Sequence, residues 1–241
     1  MVSTPPRSST PVRRAELTEL LTGLSRAFRT APGSAAVDAV AQSSIVHVPG
    51  CRWAAVTTLR QGRAHTLAVT GEPAAEAEAL QHELGSGPRL DPALEGQPHV
   101  SADLGQDRRW PVFGRRVQDQ LGMTGLLAYR MPLPGDVETT VGLTLYSDTA
   151  DAFDARTLWA GGVLASQAAL AVAGQVHHRH RENLERALAS NRDIGAAIGV
   201  LMTRHGILRD AAFDLLRETS QTTNRRLAEL ADVVLRTGEL P

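Results

Sequence analysis

Apolar positions recur along this chain with two periods, and the change from one to the other marks its parts. Leu17, Leu20, Leu21, Leu24 and Phe28 are spaced as one face of a helix over 15–29. After Ala31-Pro-Gly33, Ser34 is placed to cap a second helix over 35–45, with Val37, Val40, Ala41 and Ile45 inward. Such a helix either pairs with a second copy of the chain or packs on its own domain. From Cys51 the period shortens. Trp53–Arg60 and His65–Thr70 read as two strands joined at Gln61-Gly62, a hairpin. Glu72–Leu84 is rich in alanine and glutamate and reads as a helix, stopped by Gly85-Ser-Gly-Pro88. An irregular stretch containing His99-Val-Ser follows, then a helix over Trp110–Leu121 that opens on Trp-Pro, where proline is tolerated. Gly125–Pro132 and Thr139–Ser147 are predicted strands joined through Pro134-Gly135, and Asp154 is placed to cap a helix carrying Leu158, Val163, Leu164 and Leu170. This order predicts an α+β domain whose antiparallel sheet has helices on one face and loops on the other.

The longer period then returns. Ile194, Ala197, Ile198, Leu201 and Met202 form one helical stripe that Gly206 ends. Ile207, Ala211, Ala212, Phe213, Leu215 and Leu216 form a second, broken around Ser220–Thr223, and Leu227, Leu230, Ala231, Val234 and Leu235 a third. Three short amphipathic helices bury too little alone, so they are expected to close into one bundle, with Arg192, Arg204, Arg209, Arg217, Arg225 and Arg226 left outside. No proline interrupts 156–203, so one helix is expected to connect the two parts, roughly 70 Å long at about 1.5 Å per residue. Along it Leu170, His177, Leu184 and Asn191 stand seven apart, as do Ala173, His180, Ala187 and Ile194, a weak coiled-coil seam in which paired Asn191 would fix a parallel register.

The motifs carry two resemblances. Ile194-Gly195, Ala197, Gly199, Leu201-Met202, Ala212-Phe213, Leu216-Arg217, Asn224-Arg225, Leu227-Ala228 and Ala231 resemble the signature of an ANTAR domain. Ile198 stands where many relatives carry lysine, and Leu208 where a helix-capping hydroxyl or carboxylate is common; the second departure weakens its helix start by about 1 kcal/mol. Gly85-x-Gly-Pro88, Asp103-Leu104 with Arg109-Trp-Pro-x-Phe113, Gly142-Leu-Thr-Leu-Tyr-Ser147 and Ala152-Phe-Asp154 resemble a GAF domain over roughly 35–172. Together they imply an α+β GAF sensor followed by an all-α three-helix ANTAR bundle, joined by a long helix. The expected boundaries are a disordered tail at 1–14, the GAF sensor with its N-terminal helix at 15–172, a helical linker at 173–188 and the ANTAR domain at 189–241. The resemblance further implies a homodimer that binds stem-loops in nascent RNA, prevents a terminator from forming, and responds to an unknown small-molecule ligand at the GAF domain. Arg192, Arg204, Arg225 and Arg226 are then the RNA-binding candidates, with Ala197 and Gly199 as small residues that let an RNA loop approach or, equally, let helices pack. His99 and Asp103 are the ligand-pocket candidates.

Composition narrows the rest. The 241 residues carry a net charge of -1, and all 25 basic residues are arginine. Without lysine there is no P-loop, no Schiff-base chemistry and no conventional receiver domain. A near-neutral chain lacks a generally basic surface, so nucleic-acid binding needs a local patch. Ten arginines against nine acidic residues from His177 onward also fit a mixed solvated surface. The single cysteine, Cys51, excludes an internal disulfide and a multi-thiolate metal site, and reads as a buried structural residue more readily than as a redox or chromophore attachment. His177 and His180 share a helical face and offer at most a shared metal or pH-sensing pair, against the plainer reading of a solvated linker. Asp91, Asp103 and Asp107 have no Ser or His partner at readable spacing. No catalytic residue, metal site or cofactor is read, and the chain is expected not to be an enzyme. No run matches the roughly 18 apolar residues of a membrane span, so a cytoplasmic protein is expected. A DNA-binding regulator and a ligand-sensing protein-interaction module without nucleic acid remain as alternatives.

Overall fold

The computed structural model describes residues 22, 34–91 and 96–241. The expected tail at 1–14 and the helix at 15–29 lie outside the described residues, apart from residue 22. The chain divides into two compact units, residues 1–178 and 179–241.

In the first unit α1 (Ser34–His47) leads into β1 (Trp53–Arg60), β2 (Arg63–Val69), α2 (Glu72–Leu84), β3 (His99–Ser101), a 3-10 turn (Leu104–Gln106), α3 (Pro111–Leu121), β4 (Gly125–Leu133) and β5 (Asp136–Ser147). The five strands form one antiparallel sheet in the order β2-β1-β5-β4-β3. The element order agrees with the sequence pattern, but the faces do not. Alternate residues of the central strands enter different cores. Val56, Leu127, Tyr129, Val141, Leu143 and Leu145 pack with Val37 and Val40 of α1 and with Leu164, Ala168 and Val172 of the helix that follows the sheet. Leu126, Ala128 and Tyr146 pack with Ala77 and Leu80 of α2 and with Phe113 and Val117 of α3. The expected loop-lined face is thus covered by two helices. The reason is that β4 and the second half of β5 are buried on both sides, which a sheet with one solvated face would not allow. Gly114 permits the close seating of α3 on the 3-10 turn: a Cβ there would stand 1.9 Å from the Leu104 carbonyl oxygen.

One helix, α4 (Ala155–His205), carries residues of both units. Asp154 caps it, its Oδ1 accepting from the backbone N–H groups of Arg156 and Thr157 at 2.9 Å each, and these bonds, that from Thr157 foremost, hold its carboxyl below the usual range. By length and composition α4 alone among the described helices would suffice to cross a membrane: its most apolar 18 residues have a mean hydropathy of 1.3. Half of that window is buried within the fold. This run contradicts the expectation that no stretch is apolar enough to span, because it draws its hydropathy from alanine as well as from larger side chains.

In the second unit, the C-terminal part of α4, α5 (Arg209–Thr223) and α6 (Leu227–Thr237) enclose Ala197, Ile198, Leu201, Ala212, Leu216, Leu230, Ala231 and Val234. Gly206 takes φ +65° at the first turn, as expected of a glycine that ends a helix. The break expected around Ser220–Thr223 falls at its far end, where the helix runs to Thr223. Thr219, Thr222 and Thr223 donate their hydroxyls to the carbonyls of Leu215, Glu218 and Thr219, which satisfies them inside the helix, and Asn224 ends it at φ 51°. Leu208 occupies the N-cap of α5 in extended conformation, makes no capping bond and is 81% exposed. Leu208→Asp should therefore stabilise the bundle by about 1 kcal/mol, read as a higher denaturant midpoint; an unchanged midpoint would mean that solvent already satisfies the first N–H groups of α5.

Candidate nucleic-acid interface and sensor face

The arginines of the bundle do not form one patch. Arg225 and Arg226 lie at the turn that starts α6, and Arg204 lies at its other end, where a Cβ on Gly238 would stand 2.8 Å from Arg204 Nη1 and where Arg204 donates to Glu239. The 11 residues of α6 separate the two groups by about 16 Å. Arg192 stands on α4, its Nε 3.5 Å from Asp193. Arg225 Nε lies 3.9 Å from Glu229 Oε2. These pairs are exposed, so they hold the guanidinium groups weakly and leave them free to exchange a carboxylate for a phosphate. Arg209 and Arg226 make no ion pair among the described residues, and both mark helix N-termini: Arg209 is the first residue of α5 and Arg226 the N-cap of α6. Arg209 was absent from the predicted interface, although its place just after Gly206 marked it as the start of a helix.

The small residues separate as well. Gly199 is exposed, and with Ala196, Val200, Thr203 and Arg204 it lines an open groove along α4. Ala197 is fully buried among Leu201, Ala212 and Leu216, so of its two expected uses it takes helix packing and presents no atom for RNA to touch. Ile198 is also buried, in the same core, which accounts for an apolar residue there.

In the first unit Asp103 caps the 3-10 turn. Its Oδ1 accepts from Gly105 N and Gln118 Nε2, both at 3.0 Å, and its Oδ2 from Gln106 Nε2 at 2.8 Å, so a predicted pocket carboxylate is occupied in shaping a loop. His99 Nδ1 lies 3.0 Å from Arg109 Nη1, while Arg109 also donates to Asp107 and to the Val100 carbonyl and stacks 4.6 Å from the Trp110 ring centre. Partial burial works against the Asp107 carboxylate, but hydrogen bonds from Arg109 and Ser101 win and hold it below its usual range. Cys51 is buried, which pushes its thiol up to about 12 and makes it a poor nucleophile. His177 and His180 are exposed on α4, and no group of three or more metal-competent side chains occurs among the described residues.

The polar residues that are buried were not singled out in the sequence. Glu78 and Gln81 of α2 and Tyr146 of β5 form a closed triangle: Tyr146 Oη and Gln81 Nε2 both donate to Glu78 Oε1 at 3.1 Å, and Gln81 Nε2 lies 3.3 Å from Tyr146 Oη. Arg89 Nη1 stands 3.3 Å from Glu78 Oε2, and the Arg89 N–H donates to Gln81 Oε1 at 2.7 Å. A signal existed, since Ala74, Ala77, Glu78 and Gln81 follow the inward helical spacing and Arg130 sits inside an apolar strand at core-facing parity. Burial outweighs the neighbouring Arg89 charge and lifts the Glu78 carboxyl to about 7.

A five-stranded antiparallel sheet covered on both faces is followed by a three-helix bundle. Residues 182–235 match the family model described as the ANTAR domain. No curated protein matches the chain by sequence. Among solved structures the chain is similar to the GAF domain of a phosphoenolpyruvate-protein phosphotransferase from Coxiella burnetii, at 16% identity over 70% of this chain and 98% of that one, with a TM-score of 0.50. It is also similar to the Stigmatella aurantiaca phytochrome photosensory core module, at 13% identity over 90% of this chain and 46% of that one, TM-score 0.52. A third likeness is to an N-acylhomoserine lactone dependent LuxR family transcription factor from Burkholderia cenocepacia, at 20% identity over 67% of this chain and 96% of that one, TM-score 0.50. At these identities the shared property is the fold. The chain therefore joins a domain of the GAF fold to a segment, 182–235, that matches the ANTAR domain.

Glu78 has a consequence for stability. Its carboxyl is raised above the unfolded value, so the folded unit binds its proton more tightly; the associated stability is full below about pH 4.5 and is lost as pH rises through about 7. Thermal unfolding should show this as a loss on the order of 3 kcal/mol between those limits. Glu78→Gln retains an acceptor for Tyr146 and should flatten that part of the profile; an identical slope in the variant would assign the dependence elsewhere.

Proposed function

We propose that this protein is a signal-responsive transcription antitermination regulator, acting from the cytoplasm as a homodimer. A small molecule at the GAF-fold domain biases the pairing of the two α4 helices, and the two bundles then engage paired stem-loops in nascent RNA. Holding those stem-loops prevents the alternative terminator hairpin, so transcription continues. RNA that binds one arrangement better pulls the protein toward it, and the ligand does so from the other end. The observation that carries this reading is the ANTAR match over 182–235, on a bundle whose Arg225 and Arg226 are exposed at a helix start. Guanidinium planes at such a place suit both phosphate and unstacked loop bases. Arg204 and Arg209 offer a second contact at the other end of the bundle, and Arg192 a further one on α4.

The dimer reading has its own support. Leu184 and Leu188 are 55% and 61% exposed on α4, a cost that a second copy of the same helix would remove. Leu184→Glu with Leu188→Glu should convert the dimer to a monomer in static light scattering; a wild-type protein that is already monomeric at micromolar concentration would end this part of the reading.

RNA binding is tested by gel shift with a two-hairpin RNA and a DNA duplex of matching sequence. Hairpin RNA should bind and the duplex should not. Arg225→Glu with Arg226→Glu should weaken RNA binding at least about tenfold and lower the salt slope by about two. Preference for duplex DNA would favour a DNA-binding regulator, and unchanged activity of the double variant would favour a module that docks protein.

A further inference from the structure

The second unit holds one aromatic side chain, and its core does not use it. Across residues 179–241 Phe213 is the one Phe, Tyr or Trp. The eight core residues of the bundle are all aliphatic, and Phe213 stands outside them, 39% exposed. A ring of this size left partly in water forgoes burial that a small domain needs.

Its neighbours on α5 are cationic. Arg209 and Arg217 stand four residues before and after it, so the three share one side of the helix, with about 6 Å along the axis between successive members. Ser220, seven residues beyond Phe213, continues that side. Its hydroxyl donates to the Arg225 carbonyl at 2.6 Å, and the Arg225 N–H donates to the Ser220 carbonyl at 3.2 Å. The stripe therefore runs from the start of α5 to the turn that carries Arg225 and Arg226, and it links the arginines at the two ends of the bundle. The acids of α5 keep to another side: Asp210, Asp214 and Glu218 each follow a member of the stripe by one position and lie about 100° further round the helix. Arg209 makes no ion pair among the described residues. Arg217 has Asp214 at 3.1 Å, with both side chains more than half exposed, a pairing weak enough to yield to a phosphate.

An exposed ring between two guanidinium groups suits a partner that offers a flat apolar face with negative charge on either side. An unpaired base and its flanking phosphates do so, whereas a duplex hides the faces of its bases in the stack. A protein surface with an acidic rim would use the same groups, but the continuity of the stripe with Arg225 and Arg226, within the segment that matches the ANTAR domain, favours RNA. We propose that Phe213 stacks on an unpaired base of the RNA loop while Arg209 and Arg217 hold the phosphates beside it. The inference rests on the RNA-binding reading and adds to its phosphate contacts one that distinguishes loop from stem.

The test measures binding of the full chain, over a range of salt, to the two-hairpin RNA and to a blunt RNA duplex of the same stem sequence without loops. Wild type should prefer the hairpins. Phe213→Ala should weaken hairpin binding at least about tenfold and leave the salt slope unchanged, because stacking neutralises no phosphate. Phe213→Leu keeps apolar bulk without a π-face and should be weakened nearly as much, while Phe213→Trp should bind at least as well as wild type. Arg209→Gln should instead lower the salt slope by about one. Hairpin affinity within about twofold of wild type in both Phe213→Ala and Phe213→Leu, with folding intact by circular dichroism, overturns the inference. If Arg225→Glu with Arg226→Glu still weakens binding in that case, the RNA reading stands without it. Loss of self-association in Phe213→Ala by light scattering also overturns the inference, since the ring then serves a contact between copies. Wild-type protein that binds no hairpin RNA removes the reading and the inference together.

Discussion

The central strands of the first domain are apolar on both sides, and that single constraint arranges most of what surrounds them. Antiparallel strands can leave one face to water only if alternate residues are polar. Here Leu126 and Ala128 face one way while Leu127 and Tyr129 face the other, and all four are buried. Two layers of helix are then obligatory. The layer of α2 and α3 does more than cover: it seals Glu78, Gln81, Arg89 and Arg130 against the sheet, where each polar atom must find a partner or remain unsatisfied. Most find one. The exceptions are nitrogens of the two arginines and Glu78 Oε2, which pairs with the Arg89 charge but takes no hydrogen bond.

The second domain answers a different constraint, small size. Eight buried residues make its whole core, five of them Leu, Ile or Val and three alanine. Alanine at 197, 212 and 231 lets the helices approach closely, which is why Ala197 serves packing while its neighbour Gly199 faces out. With so little interior, the ends of the helices matter in proportion. Thr219, Thr222 and Thr223 fold their hydroxyls back onto the helix, Ser220 donates to the Arg225 carbonyl across the turn, and Arg204 ties the end of α4 to the end of α6. Arg204, Arg209, Arg225 and Arg226 stand at those same ends, because a guanidinium has no place in a core of this size.

The helix α4 belongs to both constraints. Its first turns supply Leu164, Ala168 and Val172 to the sheet, and its last supply Ala197, Ile198 and Leu201 to the bundle. Between them its residues from 176 to 189 are exposed throughout. A helix packed at both ends and exposed in the middle carries the weak heptad spacing of Leu170, Leu184 and Asn191 across its exposed stretch.

Local chemistry settled the elements. Period-two and period-3.6 spacing, Pro-Gly turns, Asp154 as a cap and Gly206 as a stop are interactions within a few residues, so strands, helices and both domain resemblances were legible from the chain itself. Where within Ser220–Thr223 the helix would end was not legible, because hydroxyls near a helix end have two possible acceptors, and only the folded turn chose between them. Tertiary structure alone decided which residues meet. Arg204 and Arg225 look alike in sequence but are held apart by the length of α6, Asp103 is consumed by a loop, and Thr57 meets Gly142, 85 positions away, only because strand register aligns them. Register depends on the pairing of distant strands and on what covers each face, and no short stretch of sequence carries that information.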